Sequence, residues 1–398
     1  MNDVLLTERM TPVSADKRNL AVDALRGAAL LGVLLINLDS GFRGSLFAHI
    51  LNFHTHPGWA NHVTDLVLAW VFEFKAFTLF SLLFGVGVGI QSERAAFGRI
   101  NASNFFVRRF ALLLAIGLLH MLLIWNGDIL TLYAVCGLLL IPVATLPARW
   151  LAALGLTIVL LSPYLPFFGG LFPTEEAMRA QSDLATRVYA VGSFAEIMVL
   201  RFNEAVHFIA PLLIGSLPRT FGLMLLGVST WRAGLLQRPA EHRKLLLAIL
   251  VIAGSLGALT TTLELWAKES SKQPPAALDW LYPYSVVLLA FAYGAGLLLC
   301  FRAAPDGRTG WLTRTLAAAG RMALSNYLAQ SVIFTLAFSG LGLFGKLGSA
   351  AAALFGLTVF VAQLVASEWW LERFRFGPAE WLWRSLTYGQ WQPLQRAR

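Results

Sequence analysis

Apolar runs of about twenty residues, long enough to cross a bilayer core at 1.5 Å rise per residue, alternate along this chain with short segments that hold most of its charge. Ten runs are predicted as membrane-spanning helices: 21–42, 62–92, 104–126, 128–146, 149–169, 205–229, 243–266, 279–301, 317–340 and 347–371. The pattern therefore predicts an all-α polytopic bundle forming one integral membrane domain over 1–398. A polar tail covers 1–20. An outer loop at 170–204 mixes charged and apolar residues at helical spacing, and an aromatic, basic tail at 372–398 is expected to lie along the membrane interface.

The basic residues orient this bundle. With the N-terminus inside, twenty-two of the thirty-one lysines and arginines fall in inner segments and seven in outer ones, while Lys75 and Arg219 fall within spans. Short cytoplasmic loops collect basic residues and translocated loops do not, so both termini are expected in the cytoplasm. Contact with anionic lipid then accounts for the formal net charge of +9, and no nucleic-acid signature accompanies it. Composition agrees, with 57% hydrophobic and 13% charged residues, 13 Trp and 28 Phe, far from the balance of a soluble domain. Asp23 and Arg26 sit in the first run with no small-residue cleavage site behind it, so that run reads as an anchor. Cys136 and Cys300 occupy different spans and read as apolar filler. No internal repeat is apparent.

The few ionisable groups inside apolar stretches are the candidates for chemistry, because such groups usually face a bundle interior or a wet cavity. In the stretch 108–133, RRFALLLAIGLLHMLLIWNGDILTLY, His120 lies near the outer end of the third span, about 8 Å below the level of Trp125. A neutral imidazole suits proton abstraction near pH 7; a core histidine hydrogen-bonded across helices is the alternative. Asp128 follows the turn dipeptide Asn126-Gly127 and reads as a helix N-cap, as the carboxylate that orients His120, or as both. Tyr133 lies a little over one turn further on. Glu73 and Lys75 fall near the middle of the second span and Arg219 near the middle of the sixth. An unpaired charge there costs about 3 kcal/mol, so Glu73 is expected to pair with Arg219 or with His120.

Asp23 and Arg26 share a helix face. They form a local ion pair, or Arg26 joins Arg108, Arg109 and Arg321 in a basic inner mouth suited to phosphate. The glycines of FGVGVG at 84–89 follow no strand and read as a helix-packing surface. Ser325, Asn326, Tyr327 and Gln330 form a polar seam on the ninth span, either interhelical glue or a substrate groove. His49, His54, His56 and His62 share one outer loop at a spacing that matches no familiar ligand pattern, so no metal is expected.

Five blocks, in order, carry a resemblance that runs nearly end to end: AVDALRGAALLGVLLIN at 21–37, FTLFSLLFGVGVG at 77–89, RRF, GLLH and WNGDILTLY within 108–133, GRMALSNYLAQS at 320–331, and FRFGPAEWLWRSLTYG ending at 389 after Trp370. Together they resemble the YeiB, or DUF418, family of bacterial inner-membrane proteins. Such families are grouped with the transmembrane acyltransferases, whose best-understood relative is heparan-alpha-glucosaminide N-acetyltransferase. The resemblance implies transfer of an acyl group from cytoplasmic acyl-CoA to an outer-face acceptor, a sugar or envelope component. His120 would then be the general base, assisted by Asp128, Tyr133 and Glu73, by direct transfer or through a His-linked acyl intermediate. Asp23, Arg26, Arg108, Arg109 and Arg321 would hold the donor, and Asn326, Tyr327, Gln330 and Arg219 the acceptor. His56-Pro-Gly-Trp59 followed by Asp65 also resembles the catalytic-histidine segment of that acetyltransferase, with the Trp-to-Asp spacing one residue shorter. A transporter or exporter using the same charges is the alternative. A non-catalytic membrane partner and a homo-oligomer remain open.

Overall fold

Ten apolar stretches become helices, but not ten equal ones. The computed structural model describes residues 19–51, 56–97, 102–165, 173–270, 276–301 and 310–396, so the tail at 1–18 and His54 lie outside the described residues. In chain order the helices are α1 (Leu20–Asn37), α2 (Leu46–Ile50), α3 (Trp59–Val67), α4 (Lys75–Phe97), α5 (Ala102–Leu123) and α6 (Leu130–Leu140). They continue as α7 (Ala148–Leu161), α8 (Glu175–Val191), α9 (Phe194–Glu204), α10 (Ala210–Arg232), α11 (Arg243–Ala248) and α12 (Gly254–Glu269). The last five are α13 (Ala276–Cys300), α14 (Trp311–Arg321), α15 (Ala323–Thr335), α16 (Ser349–Arg373) and α17 (Pro378–Tyr388). Among the described residues the extended structure amounts to one isolated bridge between Phe374 and Gln395.

Seven helical segments are long and apolar enough to cross a membrane, and eight if α14 and α15 are taken as one broken span. The remaining two predicted spans are shorter. Pro142 and Pro147 bracket a turn that stops α6 after eleven residues, about 17 Å, and α7 with its final 3-10 turn ends at Tyr164. The second predicted span is divided at Glu73–Phe74, and the ninth bends by 77° at Met322. The segment read as helical at 170–204 contains α8, capped by Thr174 and carrying Glu175 and Glu176 in its first turn, where they complement the helix dipole.

The core sits around α1, whose Ala24, Leu25, Leu30 and Leu34 are at most 1% exposed. A helix apolar on all sides is buried on all sides. Close crossings need glycine: a Cβ on Gly320 would collide with the Asp23 carbonyl of α1, and one on Gly85 with the Met224 carbonyl of α10. The FGVGVG stretch is thus a helix-packing surface. Single π-helical turns interrupt several spans, at Leu38–Phe42, Leu68–Phe72 and Ala205–Ile209 among others. Such turns widen a helix and re-aim its side chains, and these three border the cavities described next.

Candidate functional site

The tight connection between α5 and α6 brings His120 and Asp128 together. His120 Nδ1 lies 2.9 Å from Asp128 Oδ1, with side chains 1% and 0% exposed. The two atoms are in contact without the alignment of a hydrogen bond, and among the described residues Nε2 of the ring has no hydrogen-bond partner. Asp128 Oδ2 accepts a 2.7 Å hydrogen bond from the Thr131 backbone N–H, so capping and histidine contact coexist on one carboxylate. Gly117 opposite leaves room for that carboxylate, since a Cβ there would stand 2.9 Å from Oδ2.

A polar network fastens this hairpin. Glu204 at the end of α9 accepts hydrogen bonds from Asn126, from Gln181 (2.9 Å) and from Tyr189 (3.3 Å). Arg201 donates to the Leu123 carbonyl at 2.8 Å, and Thr335 to that of Ile124 at 2.9 Å. Trp125 stacks on Phe42 at 4.3 Å between ring centroids and donates to the Gly41 carbonyl. Burial drives the Tyr189 phenol well above its ordinary value, with the Glu204 charge adding to the effect, so this residue serves as a hydrogen-bond donor.

Two cavities approach the pair from opposite ends of the bundle. The first, about 190 Å³, opens where the N-termini of α1 and α5 meet α17 and the α14–α15 bend. Asp23, Arg26, Arg109, Arg321, Glu380 and Arg384 line its mouth, and Tyr133 and Tyr327 its depth. Arg26 is paired with Asp23 at 2.8 Å, and the Arg109 guanidinium lies 3.7 Å from the Trp383 ring centroid. The second cavity, about 210 Å³, is lined by Asp128, Trp125, Phe72, Phe74, Phe77 and Arg219, among others. Val33 and Ile129 belong to both linings and form a shared wall. His120 lines neither. Its ring reaches the first through Tyr327, 5.2 Å away between centroids, and the second through Asp128.

Other predicted site residues divide. Asp23, Arg26, Arg109 and Arg321 converge on the first cavity, whereas Arg108 is exposed and sits beside Gly389, outside the lining. Tyr133 shares a 3.0 Å hydrogen bond with Ser81 rather than reaching His120. Asn326 and Gln330 bind α15 to α16: Asn326 donates to Ser367, Gln330 donates to Gln363, and Gln363 donates back to the Asn326 carbonyl. That is interhelical glue. Tyr327 on the same helix faces the first cavity. His56 precedes α3 and lines none of the three cavities described here, and His62 faces Glu269 at 3.7 Å.

Glu73 departs from the pairing expected of it. It meets His49 Nε2 at 3.4 Å, while His49 Nδ1 lies 3.5 Å from Asp39, and neither Arg219 nor His120 is its partner. The cause is the chain break: Glu73 has ψ 123 and Phe74 a φ of 57, which turns Glu73 towards α2. Asp39, His49 and Glu73, with Arg43 and Asp65, surround a third cavity of about 200 Å³. Sequence reasoning missed Asp39 and missed Glu380 and Arg384 at the first mouth. Asp39 lies inside the predicted run 21–42, so a carboxylate within an apolar stretch was the signal that could have found it. Glu380 accepts from the backbone N–H groups of Leu324 (2.7 Å) and Ser325 (3.1 Å), capping the broken helix from 55 residues away, which no local pattern announces.

Residues 230–390 match the family model described as "Protein of unknown function (DUF418)". Over nearly its whole length the chain is similar to "Uncharacterized protein YxaH" of Bacillus subtilis (strain 168), 31% identical across 97% of this chain and 98% of that protein. It is also similar to "Uncharacterized protein YeiB" of Escherichia coli (strain K12), 30% identical across 93% and 96% of the two. The chain belongs to the DUF418 family, as the five sequence blocks predict, and it is a multi-pass, all-helical protein of membrane type.

Proposed function

We propose that this DUF418 member is an acyltransferase of the bacterial inner membrane, passing an acyl group from acyl-CoA in the arginine-lined cavity to an acceptor entering from the opposite end. The observation that carries the reading is the shared wall. Two cavities from opposite ends stop at Val33 and Ile129, and the buried His120–Asp128 pair stands beside that wall. Arg26, Arg109, Arg321 and Arg384 suit the phosphates of coenzyme A, and the positive-inside bias of the sequence supports a cytoplasmic side for them. A thioester carbonyl carried to the wall would lie next to Tyr327. Asp128 faces the acceptor cavity and His120 backs it through Nδ1, so as the acceptor's nucleophilic atom bonds to the thioester carbonyl carbon its proton passes to the carboxylate–imidazole pair, and as the C–S bond breaks that proton goes on to the departing coenzyme A thiolate. In this arrangement Asp128 touches the acceptor and His120 is a positioning and proton-holding residue.

Purified protein in nanodiscs, given labelled acetyl-CoA and envelope extract, is expected to release coenzyme A and label the acceptor. Full turnover by His120→Ala removes the assigned role, and no release under any acceptor removes the reading. The 77° break between α14 and α15 favours a second reading, a transporter, since discontinuous helices with a closed wall between two half-access cavities suit alternating access. Flux into proteoliposomes without acyl consumption would select it.

A further inference from the structure

Arg219 lies one residue after Pro218, deep in the apolar helical segment Phe194–Arg232. Among the described residues its guanidinium has no ion pair or hydrogen bond; its neighbours are the Phe74 ring, 5.7 Å to the centroid, and the Tyr282 phenol within electrostatic reach. A bare cation inside a membrane segment is expensive, and such residues are retained for a ligand or a pathway. The surrounding backbone keeps it bare. Phe74 is the single non-glycine residue with positive φ among the described residues, a strained position for a bulky side chain. That strain sends Glu73 away to His49 and sets the Phe74 ring against the guanidinium. Asp128 borders the same cavity, but it is in contact with His120 and the Thr131 N–H and makes no ion pair with Arg219. Phe72, Phe77, Leu132, Leu212 and Leu213 make the rest of the wall mostly apolar, with Ser216 one turn from Arg219.

We propose that this cavity binds a short amphiphilic monoanion, its carboxylate or phosphate on Arg219 and its chain among Phe72, Phe77 and Leu213. Arginine presents a planar fork to such a head group, and an aromatic slot receives the chain. The volume, about 210 Å³, equals that of roughly seven water molecules, which fits a head group and a chain of a few carbons. In catalytic terms this rests on the acyl-transfer reading, where it makes the acceptor an anionic amphiphile rather than a neutral sugar. The binding itself requires no transfer.

The test uses the full chain in phosphatidylcholine nanodiscs, titrated calorimetrically with hexanoate and with 1-hexanol, which share the chain and differ in charge. Hexanoate is expected to bind at least about tenfold more tightly. Arg219→Gln should abolish that preference while leaving hexanol unchanged, and Arg219→Lys should retain part of it. Equal affinities in the unaltered protein overturn the proposal without reference to any variant, as does a full preference in Arg219→Gln. Replacing part of the phosphatidylcholine with phosphatidylglycerol separates the sources: weakened hexanoate binding identifies a lipid head group as the occupant, and unchanged binding identifies a free acid. A hexanoate preference without coenzyme A release discards acyl transfer and keeps the site; release without the preference does the reverse.

Discussion

The cavities on either side of the Val33–Ile129 wall are nearly equal in volume and opposite in design. At the arginine end, charge is plural and supported: Arg26 has Asp23, Arg109 has the Trp383 ring, and Glu380 is engaged by α15. At the far end, charge is singular, with Arg219 over one phenyl ring and Asp128 bound to His120. A plural site grips an extended polyanion by many replaceable contacts, whereas a singular one depends on each group it has. The difference teaches where substitutions should act steeply and where they should grade.

The steepest effect is expected at the wall. Asp128→Asn keeps an acceptor for the Thr131 N–H while removing the charge opposite His120, and His120→Ala removes the proton holder. Either is expected to lower acyl transfer by roughly 10²–10⁴-fold, measured as labelled coenzyme A release with the KM for acyl-CoA little changed. A loss that appears only as a raised KM would place the pair in the donor site and erase the distinction drawn here. Next in size come the mouth arginines. Arg26→Gln, Arg109→Gln and Arg321→Gln are each expected to raise the KM for acyl-CoA roughly tenfold with a smaller change in kcat, and Arg108→Gln, outside the cavity, to leave it unchanged. Equal effects from Arg108 and Arg109 would show that bulk positive charge, not the cavity, matters.

Much of this molecule is legible in its sequence. Runs of about twenty apolar residues gave the helices, and the scarcity of charge within them pointed to His120, Asp128 and Arg219. What escaped was long-range or angular. The break at Glu73–Phe74 depends on a strained torsion that no periodicity encodes, so helical spacing does not announce His49 as the partner of Glu73. Arg108 and Arg109 are adjacent in sequence, yet 100° of helical rotation leaves one exposed and the other stacked on Trp383. Asn326 and Tyr327 likewise divide between glue and cavity. The C-terminal tail also brings Glu380 and Trp383 into the first mouth, which no local pattern announces.

Glu380 sharpens the comparison in stability rather than turnover. It fills the N-terminus of α15, where free N–H groups and the helix dipole favour an anion. Burial raises its carboxyl above the usual range, and the bonds from Ser325 and Leu324 oppose that. Glu380→Ala is expected to destabilise the protein by about 2 kcal/mol, read by thermal or denaturant unfolding in detergent, and to loosen the arginine end while hexanoate binding at Arg219 persists. Loss of both would mean that the two cavities are one cooperative unit.

The smallest effect separates the two cavities at the far end from each other by pH. Burial works against a charged His49, but the hydrogen bond to Glu73 and the charges of Glu73 and Asp39 outweigh it, even with Arg43 opposing, so its pKa lies above the ordinary 6.5. A histidine whose folded value is raised stabilises the protein fully below its unfolded pKa and loses that contribution as pH rises through the folded one. The ring is partly exposed, which screens the pair and holds the contribution below about 1 kcal/mol. His49→Gln should therefore lower the thermal midpoint by roughly 2 °C near pH 6, and the gap from the unaltered protein should close by pH 9. Arginine stays charged throughout that window, so the hexanoate preference at Arg219 should hold constant over the same titration. A preference that fades in step with His49 would show that the polar cluster, and not the guanidinium, commands the anion cavity.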